Sequence, residues 1–310
     1  MYQFVSYNVL AKELESQLTP SPHTSFEVRL PKILNRVESF LRQQAILALQ
    51  EVDETLYKFL QEIFILNNYG VYYVSYGKHG ALLAYPSQMR MEGRGNENIG
   101  EAIGQKTQHL NKSLSYTMWN STSKRTALDM AINQKKKLLW IQLRDGDNTF
   151  FVFTYHFPVS FFWIPVSGAH LSMVLERIHT LSDDNPFVLL TDFNSTENSA
   201  LYKYICGKKI KRGLSPHPHW EFYRHHGLVD ARCLLDHKGP TVKSKQKGAK
   251  VFEGCLDYIF LSKQWKPISF EQKGMLPRKA VKGTTSSLEI LPSEEEGSDH
   301  IPISCVVLLE

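Results

Sequence analysis

Short apolar runs recur along the chain, and most are rich in β-branched and aromatic residues. Tyr2–Tyr7, Ile46–Gln50, Val71–Ser75, Ala81–Tyr85, Leu138–Leu143, Phe150–Tyr155, Phe187–Thr191, Leu256–Leu261 and Ile303–Leu309 predict buried or half-buried strands. Between them lie apolar stripes at helical spacing. Leu30, Ile33, Leu34, Val37, Phe40 and Leu41 form one, with Pro31 placed where a first helical turn accepts it. Tyr57, Leu60, Ile63 and Phe64 form a second, Leu171, Val174, Leu175, Ile178 and Leu181 a third, and Leu201, Tyr204 and Ile205 a shorter fourth. The order is β-α-β-α, several strands, α-β-α and further strands. That is no regular repeat of parallel βαβ units. It predicts two packed sheets, each covered by helices on its outer face.

Four polar stretches predict loops: Ser87–Lys124, Pro216–His226, Lys238–Lys250 and Lys273–Gly297. No internal repeat or clean linker divides the chain, so residues 1–310 are expected to form one domain. Composition mainly excludes. Hydrophobic residues are 42% and charged residues 22%, which rules out wholesale disorder and coiled coil. No apolar run reaches the roughly 18 residues of a membrane span. The start, MYQFVSYNVLAKE, lacks the basic segment and apolar core of a signal peptide. A cytoplasmic or nuclear protein, neither secreted nor membrane-bound, is expected. Cys206, Cys233, Cys255 and Cys305 form no CxxC pair, which predicts reduced thiols rather than a structural zinc site. The net charge of +5 permits an anionic partner without requiring one.

A second pattern changes the picture more. Polar groups sit at the ends of the apolar runs: Asn8 after FVSY, Glu51 after ILALQ, His156 after FFVFTY, and Asp192 and Asn194 after FVLLT. Asp257 lies in GCLDYIF, and Asp299 and His300 precede IPISCVV. A buried acid is costly unless it is paired, hydrogen-bonded or bound to a metal. Taken singly each has a bland explanation. Asn8 suits a turn, Glu51 adjoins a helix start at Asp53-Glu54, Asp192-Phe193-Asn194 suits an Asx-turn, and His300 suits a structural histidine. Together they predict one polar site at a common edge of the sheets. Carboxylates, amides and imidazoles without cysteine select Mg²⁺ or Mn²⁺ over zinc. Such a set suits metal-assisted hydrolysis of a phosphoester.

The series SYNVLA (6–11), LALQEVD (47–53), TYH (154–156), TDFNS (191–195), LDYIF (256–260) and GSDHIPI (297–303) resembles the exonuclease–endonuclease–phosphatase superfamily. The motifs span nearly the whole chain and imply a four-layer α/β/β/α sandwich. YNVLA, DFNS, LDYIF and SDHIP most resemble the deadenylase, nocturnin and 2′-phosphodiesterase branch. There are departures. His79 in GKHGALLAY stands where that branch has Asp, Tyr155-His156-Phe157-Pro158 replaces its THL, and GLVDA (227–231) is nearer the base-excision endonucleases. The resemblance implies Glu51 as principal Mg²⁺ ligand with Asn8 beside it, and Asp192 as the group that orients or deprotonates water. Asn194 and His156 would donate to phosphate oxygens. Asp257 would orient His156 or assist the leaving group. Asp299 would pair with His300 or hold metal, and His300 would stabilise the pentacovalent phosphate.

Candidate substrate contacts are Lys78 and His79 at the head of GKHGALLAY, and Trp163 in the apolar tract after His156. Basic clusters at Lys135–Lys137, Lys208–Arg212, Lys243–Lys250 and Lys273–Lys282 could track a single strand with loop aromatics for stacking, or simply be solvated surface. His217, His219, His225 and His226 lack the Cys or Asp partners of a second metal site. The resemblance therefore implies a Mg²⁺-dependent 3′–5′ exoribonuclease on single-stranded RNA. Its alternatives are a 2′,5′-oligoadenylate or dinucleotide phosphoesterase, a DNA-repair phosphodiesterase, and a non-catalytic RNA-binding relative.

Overall fold

Each apolar run read as a strand is a strand, to within two residues at either end, in the computed structural model, which describes residues 1–108, 126–208, 215, 220–235, 239–272 and 290–310. The chain opens with β1 (Tyr2–Asn8), a short 3-10 helix (Lys12–Gln17), α1 (Phe26–Leu41), β2 (Ile46–Val52) and α2 (Glu54–Leu66). β3 (Tyr69–Ser75), β4 (Gly80–Pro86), β5 (Arg90–Asn98), α3 (Ile99–Lys106) and α4 (Ala127–Ile132) follow. Next come β6 (Lys137–Asp145), β7 (Asn148–Thr154), α5 (Ser160–Ser182), β8 (Phe187–Asp192) and α6 (Ala200–Ile205). The last part holds β9 (Val229–Asp230), α7 (Ala231–Leu234), β10 (Val242–Ser244), β11 (Phe252–Gly254), β12 (Asp257–Leu261), β13 (Trp265–Gln272) and β14 (Ile303–Leu309).

Two six-stranded mixed sheets result, ordered β13-β14-β1-β2-β4-β3 and β5-β6-β7-β8-β12-β9. They stack face to face over one apolar layer, in which Tyr2, Phe4, Phe150 and Trp265 pack edge to face. Along β1 the period of two sends Phe4 inward and Val5 and Tyr7 outward, against α1 and α2. Helices α3 to α6 cover the other sheet through Phe151, Phe153, Leu189 and Phe260. The four layers are those the motif order implied. No helix among the described residues is long and apolar enough to cross a membrane. Among the described residues, Cys206, Cys255 and Cys305 form no disulfide.

Several expectations are corrected. α1 starts at Phe26, so Pro31 lies beyond the first turn, and the carbonyl it cannot satisfy belongs to exposed Glu27. Arg90–Asn98, expected to be loop, is the edge strand β5, and α3 follows it directly. Its polarity is that of an edge with one face in water. Gly95 is required there because a Cβ would approach the Trp140 indole to 2.7 Å. Phe161–Trp163, in the apolar tract after His156, belong to the start of α5 rather than to a loop. The basic 238–250 stretch contains β10, which pairs with β11.

Candidate active site

Strand direction gathers the polar ends. β1 runs parallel to β2, and β7 parallel to β8, while β12 and β14 run antiparallel to β8 and β1. The four parallel strands therefore end where the other two begin. Asn8 ends β1, Asp192 ends β8, and Asp257 opens β12 directly opposite Asp192. His156 lies two residues past β7, and Asp299 and His300 lie just ahead of β14. Gln50 Nε2 donates to Thr154 Oγ1 at 3.0 Å and ties the two sheets together at this edge.

Glu51 reaches the site because β2 bulges there. Gln50 pairs with Ala81 and Val52 with Gly80, leaving Glu51 unpaired at a left-handed φ of 60°. A bulge re-aims a side chain that strict alternation would send to the opposite face. Asn194, at φ 50°, closes a tight turn in which its N–H donates to Asp192 Oδ1 at 3.0 Å. Such backbone costs about 1–3 kcal/mol per residue and clusters at working sites.

The side chains meet in a cavity of about 480 Å³ lined by Glu51, His79, His156, Asp192, Asn194, Asp299 and His300. Asn8 Nδ2 donates to Asp192 Oδ2 at 2.9 Å. His156 Nε2 lies 3.8 Å from Glu51 Oε1 and 3.6 Å from Asp192 Oδ2. His300 Nε2 lies 3.7 Å from Asp192 Oδ2, and its Nδ1 lies 2.9 Å from Asp257 Oδ2. Thr241 Oγ1 donates to the same Asp257 oxygen at 2.6 Å and accepts from the Leu256 N–H at 3.0 Å. Asp257 thus lies against His300, where the resemblance had placed it beside His156 or the leaving group. His156 Nδ1 is buried and has no hydrogen-bond partner among the described residues.

Burial sets the charges. It pushes the Asp192 carboxyl up to about 7, with His300 and the Asn8 hydrogen bond opposing and the Asp257 and Glu51 carboxylates adding to the rise. It pushes Asp299 up as well, against the pull of His300. Burial alone would lower His300, but the Asp257 and Asp192 carboxylates overcome it and hold the imidazole well above its ordinary value. Burial, helped by Lys136 and the other two imidazoles, holds His156 well below.

The donor set fits a hard divalent cation. Ligand atoms of Glu51, His156 and Asp192 lie within 4.8 Å of one another, as do those of Asp192, Asp257 and His300. The contacts of His156 with Glu51 and Asp192 are too long for direct hydrogen bonds, yet short enough to share a ligand. Among the described residues no lysine or arginine lies within ion-pair distance of Glu51 or Asp192.

The substrate candidates divide. His79 lines the cavity, Lys78 is exposed and does not, and the Trp163 side chain lies outside the described residues. Lys243 is buried against Glu253 at 3.3 Å, so it tracks no backbone. Most of the 208–212 cluster, all of the 273–282 cluster, and His217 and His219 lie outside the described residues. His225 packs edge-on to Tyr204 at 4.9 Å. Sequence reasoning missed Thr241 and Lys136. It also missed Arg29, fully buried in α1, whose Nη1 donates to Leu10 O at 2.9 Å and Gly297 O at 3.1 Å, binding the loops after β1 and before β14. A threonine amid loop residues and one lysine of a basic run carry no sequence signal. Arg29 shows only as a charge within the apolar stripe of α1.

This is the fold of the exonuclease–endonuclease–phosphatase superfamily, the one the motif order resembles. ANGEL2, a 2′,3′-cyclic phosphatase solved with adenosine-2′,3′-vanadate, is 19% identical with a TM-score of 0.70, covering 100% of this chain and 96% of that one. The human Nocturnin catalytic domain with bound sulfate is 17% identical with a TM-score of 0.65, covering 100% and 93%. TDP2 of D. rerio, complexed with a single-strand DNA product, is 15% identical with a TM-score of 0.64, covering 99% and 98%. No protein-family model matches the chain. No curated protein sequence matches it either.

Proposed function

We propose that residues 1–310 act as one catalytic domain, a Mg²⁺- or Mn²⁺-dependent phosphoesterase that degrades single-stranded RNA from its 3′ end. The observation that carries this is the meeting of Glu51, Asp192 and Asp299 with His156 and His300 in one cavity. The motif order and the nucleotide-bound neighbour ANGEL2 support a nucleic-acid substrate. The cavity wall supports a strand end over mid-duplex. The 3-10 helix and the loop after β10 close it together, through Lys247 N–H to Gln17 O at 2.9 Å and Thr19 N–H to Lys245 O at 2.8 Å. The same enclosure favours a second reading, hydrolysis of a 2′,5′-linked adenylate or a dinucleotide phosphate.

A divalent cation held by Glu51, Asn8 and Asp299 would supply Lewis-acid charge to a phosphate oxygen. The side chains do the rest. Asp192, its oxygens fixed by the Asn8 amide and the Asn194 N–H, accepts the proton of the attacking water. Protonated His300, locked by Asp257 and through it by Thr241, donates from Nε2 to the phosphate as negative charge builds. Neutral His156 contributes a hydrogen bond without charge. Asn194 spends one Nδ2–H on Phe157 O at 3.0 Å and keeps the other for a phosphate oxygen.

A cleavage assay on 5′-labelled substrates tests the reading. A ladder on single-stranded RNA that EDTA abolishes is the expected result. Cutting confined to abasic or tyrosyl-linked DNA, or to 2′,5′-adenylate, would replace the substrate. EDTA-resistant binding without cleavage of any substrate would replace the enzyme with a binding protein.

The charges predict a pH profile. Asp192 must be ionised to act as base, and burial raises it to about 7. Activity should therefore rise with pH through about 7, and the acidic limb should move lower as Mg²⁺ is raised, since a cation favours the carboxylate. His300 stays protonated through neutrality, so any fall lies on the alkaline side. Activity that declines between about pH 5 and 7 at every Mg²⁺ concentration would contradict these roles.

A further inference from the structure

Lys136 stands just ahead of β6, at the sheet edge where β7 and β8 end. Its neighbours behave as a solvated basic run would: Lys135 is exposed, and Lys137 enters β6 opposite Asn98. Lys136 instead is half-buried and lines the cavity beside Glu51, His156 and Asp192. Its backbone is fixed, since Lys136 O accepts from the Ile99 N–H at 3.2 Å, but among the described residues no carboxylate lies within 4.0 Å of its amine. The fields of Glu51 and Asp192 fall on it from within the site, and burial opposes its charge.

A partly desolvated cation without a counter-ion is costly, and it is tolerated where a ligand completes it. The cavity has the converse difficulty, because a phosphoester must approach four acids, Glu51, Asp192, Asp257 and Asp299. We propose that Lys136 is a phosphate-binding residue of this site, its ammonium donating to a nonbridging oxygen of the substrate phosphate on the side away from His300. The inference rests on the phosphoesterase reading and adds a cation that the motif series does not contain. A lysine fits the task as a compact, rotatable donor of single charge.

Equilibrium binding of inorganic phosphate to the Mg²⁺-loaded protein tests it without turnover, by calorimetry. Lys136→Met should weaken phosphate about tenfold or more, the worth of one charged hydrogen bond. Lys136→Arg should bind nearly as the parent does, and the exposed-site control Lys135→Met should be unchanged. Mg²⁺ affinity measured without phosphate should hold or tighten in Lys136→Met, because a positive charge near Glu51 has gone. A purely structural lysine would instead lose Mg²⁺ binding and thermal stability together. That outcome, unchanged phosphate affinity in Lys136→Met, or no phosphate binding by the parent would overturn the proposal. Normal phosphate binding by a parent that cleaves nothing in the substrate panel would remove the phosphoesterase reading and leave Lys136 as an anion ligand.

Discussion

An Asp192→Asn variant is expected to lose about 10³-fold in kcat, the contribution of a positioned general base. Asparagine keeps the shape, and its carbonyl can still accept from Asn8 or the Asn194 N–H, so the turn after β8 should persist. What it cannot do is take a proton. The same change should stabilise the metal-free protein. Burial raises the Asp192 pKa to about 7 from an ordinary value of 3.8. A group raised in this way contributes stability fully present below the lower value and lost as pH climbs through the higher one. In EDTA the variant should therefore melt above the parent at about pH 8, with the gap closing toward pH 4. Mg²⁺ should still raise its melting temperature, by the mass action available to any ligand of the folded state. In Glu51→Gln, by contrast, that rise should vanish together with activity. Thermal melts of both variants with and without Mg²⁺, beside single-turnover rates, separate the roles. Full activity in Asp192→Asn would remove it as the base, and an undiminished Mg²⁺ shift in Glu51→Gln would remove it as the metal ligand.

The parts of this molecule that were legible in the sequence share a physical cause. Strands buried on both faces read as unbroken apolar runs, so β1, β2 and β8 stand out, as does any acid at their ends. β5 and β13 did not, because edge strands carry charge and glycine on the face they show to water. Pro267 fits inside β13 only because that edge strand shifts register there. Asn8, Glu51, His156, Asp192, Asp257 and His300 were predicted to share a site, and they line or adjoin one cavity. Which partner each would take was not legible. That Asp257 meets His300 depends on β12 and β14 both beginning at this edge, a matter of strand order. Lys136 and Lys135 are indistinguishable in sequence, yet one lines the cavity and the other is exposed to solvent.

Strand order also explains why the largest loss of stability should come from a residue outside the cavity. Asn8 closes the β1–β2 ladder, but the loop after it and the loop that carries His300 ahead of β14 lie outside the β1–β14 pairing. Arg29 ties the two loops together. Besides the Leu10 and Gly297 carbonyls it reaches Val9 O at 3.4 Å and, through Nε, Thr24 O at 3.2 Å. A second brace lies beside it: Tyr7 OH and the Gly297 N–H both donate to buried Glu296, which Arg36 approaches to 3.3 Å. Removing the guanidinium in Arg29→Leu strands several buried carbonyls at once, at a cost of about 3–5 kcal/mol. In a chain of this size that is a melting point lower by about 5–8 °C. Because the freed loops carry Asp299 and His300 and adjoin Asn8, kcat should fall even at temperatures where the variant is folded. Arg29→Lys, which can satisfy one or two of the carbonyls, should fall between the two. Denaturant melts and turnover of both variants at about 20 °C measure this, and a Leu variant that keeps parental stability and rate would show the loops to be held without Arg29.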